Sequence, residues 1–190
     1  MGRFSTTLLV IAGTTVAGCG RRETPAWFDA QPHSAAVVAS GNPLPASALK
    51  VRWGSLSLPR TVGANSIVPV IVSVTNAGDM LWPDVAAASP RLKDGSYAVR
   101  LSYEWIPADD PHDDRRRAKR SDLPRSMMPG DSIDVKLTLQ APAEAGEYTV
   151  VIELVQELVQ WFADRGADRI MRPVRVVPAG AAPAGTRSAR

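Results

Sequence analysis

An all-β fold, a two-layer sandwich of short antiparallel strands, is what this sequence predicts. Three observations carry the prediction. Apolar residues recur at every second position in several runs; sixteen prolines and fourteen glycines break the 190 residues into short pieces; and there is one cysteine, so no internal disulfide braces the fold. The core alone must hold it.

The stretch from Pro129 to Gln156 shows the pattern best. Ile133, Val135, Leu137 and Leu139 alternate with polar residues, and successive side chains on a strand point to opposite faces. Pro142–Gly146 then supplies turn chemistry, because proline fixes φ and glycine permits positive φ. The next run puts Tyr148, Val150, Ile152 and Leu154 on one face, with Thr149, Val151, Glu153 and Val155 on a second, partly buried one. Val151, Leu154, Val155, Leu158, Val159 and Phe162 also fit a helical template. The β-branched cluster at 149–152 favours a strand to about Gln156, followed by a turn or short helix.

Elsewhere, Leu49–Leu58 reads as an edge strand closed by Pro59. Residues 66–76 set Val68, Val70, Val72 and Val74 against Ile67 and Ile71, which predicts a central strand covered on both faces. A turn follows at Asn76–Asp79, and 86–95 reads as loop. Tyr97–Trp105 alternates cleanly, Asp109–Ser121 is a charged connection, and Arg172–Val177 makes a last strand. About seven short strands with turns between them is the pattern of an immunoglobulin-like sandwich.

The first eighteen residues have one charge, Arg3, before an apolar stretch ending in small residues, which describes a signal peptide too short to span a bilayer. Val16-Ala17-Gly18-Cys19 resembles the bacterial lipobox. That resemblance implies diacylglycerol on Cys19 and membrane anchoring by several acyl chains. Gly20, not Asp, implies delivery to the outer membrane in a Gram-negative cell. The expected organisation is therefore a signal peptide at 1–18, a flexible tether at 19–48, a sandwich at 49–178 and a disordered tail at 179–190.

The ordered motifs V-x-V-T-N-A-G-x-x-x-W-P (72–83), V-R-L-S-Y-E-W (99–105), P-G-D-S (129–132), A-P-x-x-x-G-x-Y (141–148) and L-V-Q-E-x-V-x-W-F (154–162) resemble a bacterial immunoglobulin-like module. Such modules accompany surface-polysaccharide proteins and are similar to the four-tryptophan domain of autophagy receptors. The resemblance spans roughly Val51–Val177 and implies a binding or spacer module without catalysis. Leu158 departs from it, standing where a glycine is expected.

No residue pattern points to a catalytic set, a metal or a cofactor. Asp109, Asp110, His112, Asp113 and Asp114 lack calcium-loop spacing and sit beside Arg115, Arg116, Arg117, Lys119 and Arg120, so they read as a solvated, self-paired loop. The basic run could contact phosphate or another ligand, but export and a net charge of only +3 argue against nucleic acid. His33 and His112 have no nucleophile in local context. Among the aromatics, Trp82 in a loop beside Pro83 is the expected exposed ligand contact, whereas Tyr103 and Trp105 share parity with core residues. The expected function is a lipid-anchored, non-catalytic protein-binding or assembly module at the envelope; the alternative is a glycan-binding module, and a hydrolase is the remote third.

Overall fold

The computed structural model describes residues 41–88 and 94–180. Cys19, the leader, residues 19–40 of the tether and the tail beyond 180 lie outside the described residues.

The chain is an all-β, immunoglobulin-like sandwich. Its strands are β1 (Val51–Leu56), β2 (Thr61–Gly63), β3 (Ile67–Asn76), β4 (Val99–Pro107), β5 (Lys119–Asp122), β6 (Ser132–Gln140), β7 (Gly146–Gln156), β8 (Gln160–Trp161) and β9 (Ile170–Val177). One sheet has the order β1-β3-β6; the other runs β2-β9-β7-β4-β5, with β8 added to β7. Every ladder is antiparallel except the short parallel pairing of β2 with β9. The chain leaves the first sheet after β1, passes Pro59, and joins the second through β2, so consecutive strands lie in different layers.

The interior follows the period-two pattern. Val68, Val70, Val72 and Val74 of β3 and Val135, Leu137 and Leu139 of β6 meet Val99 and Leu101 of β4, Val150, Ile152 and Leu154 of β7, and Val174 and Val176 of β9. Burying each such side chain contributes about 1.5–3 kcal/mol against the cost of ordering the chain. The helical alternative for 151–162 is not adopted. With a neighbour on each side between Tyr148 and Ile152, β7 satisfies its N–H and C=O groups there through its ladders, and the branched residues at 149–152 fit the pleat.

Three expectations are corrected. β3 is central in its sheet but covered on one face only: Ile67 is 67% and Ile71 43% exposed, because no described element packs outside the first sheet at those positions. The end of the tether belongs to the domain. Leu44 and Ala48 are buried, and the fully buried Gln156 amide accepts from Leu44 N at 2.8 Å and donates to Asn42 O at 2.9 Å. The charged connection is shorter than expected, since Lys119–Asp122 pairs with Arg100–Tyr103 as β5.

The turn after β7 forms although the glycine is missing. Leu158 takes φ 61°, leaves its side chain 81% exposed, and lets Val159 N reach Gln156 O at 3.0 Å. β8 then folds back on β7, pairing Val155 with Trp161.

Candidate binding site

The outer face of the larger sheet is unusual in being both buried and charged. On β4 the outward positions are Arg100, Ser102 and Glu104, and on β7 they are Val151, Glu153 and Val155. Glu153 and Ser102 are cross-strand partners, and Ser102 is opposite Arg120 of β5. A carboxylate buried to 4% exposure in an apolar row requires a cation.

The charged connection supplies it. Arg115 folds over the sheet, with Nε 3.2 Å from Glu153 Oε1 and Nη1 2.6 Å from Asp164 Oδ1. Arg169 pairs with Asp113, and Arg120 with Glu157 at 3.2 Å while donating to Ser102 Oγ at 3.1 Å. The Arg115 and Arg120 guanidiniums lie 4.8 and 4.5 Å from the centre of the Trp161 ring. Planar guanidiniums suit this use, since they stack on aromatics and fork onto carboxylates at once.

The electrostatics follow from that burial. Desolvation raises the Glu153 pKa, and Arg115 and Arg169 offset it only in part. For Arg115, burial works against the charge, but the Asp164 hydrogen bond and Glu153 outweigh it and raise the pKa. Glu104 is raised by burial first and then by the Asp113 and Asp114 carboxylates.

The expected ligand residues therefore divide. Trp82 is not exposed: it is fully buried, bridges backbone to backbone with Met127, donates from Nε1 to Ala48 O at 2.7 Å, and meets Phe162 edge to face at 5.2 Å. Proline at 83 does not push the indole out, because the β-bridge to Met127 aims it inward, and the Pro83 carbonyl accepts from Val99 N at 2.8 Å. Arg115 is consumed by the loop-to-sheet pairing, which corrects the self-paired loop; the partners Glu153, Asp164 and Arg169 come from outside it. Arg116 is exposed, and Arg117 is 85% exposed beside Asp114. His112 is solvent-facing near Asp110. Among the described residues no group of three His, Cys, Asp or Glu is arranged to hold a metal ion.

What the sequence did not single out is a cleft of about 430 Å³ between the sheet edges. Tyr103, Glu104 and Trp105 of β4 line one wall and Gln140–Pro142 at the end of β6 the other, and Asp110, His112, Asp114 and Arg117 of the charged connection complete the lining with Lys119. β5 pairing ends at Lys119, so β4 beyond Tyr103 keeps β7 on one side but loses β5 on the other, and the cleft opens there. Trp105 is half-buried, stacks edge to face on Tyr148 at 6.0 Å, and has an indole N–H without a hydrogen-bond partner among the described residues. The Tyr103 hydroxyl accepts from Gln140 N at 3.1 Å, tying the two walls together. Core parity was the right signal for Tyr103; Trp105 shares it but falls where the strand outruns its cover.

No protein-family model matches the chain, and no curated protein does. Among solved structures it is similar to the CARDB domain of PF1109 from Pyrococcus furiosus, at 16% identity and TM-score 0.37, covering 67% of this chain and 84% of that one. It is similar also to Escherichia coli alpha-2-macroglobulin from domain MG7 to the C-terminus, at 13% identity and TM-score 0.39, covering 70% of this chain and 17% of that one. A Listeria innocua beta-glucosidase matches at 13% identity and TM-score 0.37, over 67% of this chain and 16% of that one. At such identities the sandwich assignment rests on this chain's own strand order.

Proposed function

We propose that this protein is an exported lipoprotein, held at the bacterial envelope through Cys19, whose sandwich binds or helps assemble another envelope protein without doing chemistry itself. The outer membrane is its destination where the cell has one. The observation that carries the binding role is the cleft beside Trp105. Its walls are fixed by β4 and β6, so it is preformed, and it combines aromatic surface with a few polar groups, as binding pockets generally do. The cations set deeper in the fold are already paired with Glu153, Asp164 and Glu157, which leaves Lys119 and the 85% exposed Arg117, itself 3.5 Å from Asp114, beside the cleft to meet a partner.

A photo-crosslinking residue in place of Lys119, in the full chain in its native envelope, tests this. A defined protein adduct that is lost on Trp105→Ala is the expected result; no protein adduct would overturn it. Incorporation of labelled palmitate that disappears in Cys19→Ser tests the anchor separately. The glycan reading keeps one specific support, the joint lining of Trp105, Tyr103, Glu104 and Gln140, which could stack and hydrogen-bond a sugar. Glycan-array binding abolished by Trp105→Ala, with no protein adduct, would favour it.

A further inference from the structure

The geometry points to β6 as a self-complementary edge that pairs with β6 of a second copy of this chain. β6 has β3 on one side and, among the described residues, no strand on the other. Its ladder with β3 runs without a bulge from Thr75–Ser132 to Ile67–Gln140. Ala141 N donates to Ser66 O and Asn76 N donates to Asp131 O, which fixes the odd-numbered residues of β6 as those bonded to β3. The even-numbered residues turn their N–H and C=O groups outward. Gln140 confirms the direction, since its N–H leaves the sheet for the Tyr103 hydroxyl. Asp134, Lys136 and Thr138 are exposed, and their backbone groups have no hydrogen-bond partner among the described residues.

Such an edge is a template for another strand unless something blunts it. The other edges are poor templates: β2 and β5 have three and four residues, and β1 has a register irregularity between Trp53 and Leu56. β6 has nine residues and presents the polar series Ser132, Asp134, Lys136, Thr138 on one face. An antiparallel two-fold pairing centred on Val135 sets Asp134 of each copy opposite Lys136 of the other, and Ser132 opposite Thr138. All four of these residues point their backbone groups to the open edge, so the hydrogen-bond pattern and the charge pattern agree in the same register. Shifting the centre to Lys136 would set lysine against lysine, and like charges directly opposite are destabilising. The charges thus select one register and disfavour the next permitted one.

A homodimer joined this way has a continuous six-stranded sheet across the two copies. The inference stands independently of the anchor and of the cleft. The test is sedimentation of the full chain in density-matched detergent, with circular dichroism checking that each variant keeps its β-structure. The wild type should be dimeric. Asp134→Lys and Lys136→Asp should each weaken dimerisation about tenfold or more, since each change replaces two attractive cross-strand pairs with two repulsive ones. The double reversal Asp134→Lys/Lys136→Asp should restore it. A wild type that stays monomeric, or a dimer indifferent to the single reversals, would overturn the proposal. So would capture of the edge by a different protein while the chain remains monomeric.

Discussion

The indole N–H of Trp82 donates to the carbonyl of Ala48 at 2.7 Å, and both residues are fully buried. One side chain thereby fastens the segment before β1 to the centre of the sandwich. Trp82→Phe should cost about 1–3 kcal/mol, because the Ala48 carbonyl is left buried without this donor. Trp82→Ala should cost about 3–5 kcal/mol through the cavity it leaves. Urea unfolding measures both, and a neutral Trp82→Ala would contradict the buried placement.

Gln156 makes the second fastening. Its amide serves Leu44 N, Asn42 O and, at 3.3 Å, Tyr97 O. Gln156→Leu keeps the volume and removes these bonds, so residues 42–48 should open locally before the rest unfolds. Hydrogen exchange at the Leu44 amide should accelerate sharply while the β3 and β7 amides retain most of their protection.

Leu158 holds φ 61° with an exposed side chain that packs on little. A left-handed conformation costs a residue with a Cβ about 1–2 kcal/mol, and glycine escapes most of that at some cost in unfolded-chain entropy. Leu158→Gly should therefore raise stability by about 0.5–1 kcal/mol in urea unfolding. A destabilised variant would mean the Leu158 side chain has a partner that offsets the strain.

Glu104 gives a pH dependence with a definite sign. Its pKa is raised in the folded protein, by burial and by the nearby Asp113 and Asp114. Between the ordinary carboxyl range and the raised value, the folded state binds more protons than the unfolded state. This group's contribution therefore falls as pH rises, and above the raised value its ionised form is a net cost. Glu104→Gln should melt higher than the wild type at neutral pH, with the difference shrinking in acid. An equal gain at every pH would remove titration as the cause.

Much of the sandwich was legible in local patterns. The alternation of Ile133, Val135, Leu137 and Leu139 specifies a strand and its inner face, because a pleat has a period of two wherever it sits. The turn at 157–159 was harder to read. It needed positive φ where no glycine stood, and the β7–β8 pairing imposes that conformation on Leu158. The candidate site was less legible still. Arg115 stood out in the sequence, but its partners Glu153 and Asp164 lie 38 and 49 residues away, and no spacing rule joins them.

The sequence by itself determined the long strands and most of their inward residues, since each depends on the geometry of a few adjacent residues; the short strands β2, β5 and β8 came only with the tertiary structure. Only the tertiary structure decided which aromatics are used up and which are offered: Trp82 inside against Ala48, Trp161 beneath two arginines, Trp105 at an opening. Exposure depends on what packs alongside, and here that is set by where β5 stops and leaves one side of β4 open. Those are facts about residues far apart in the chain.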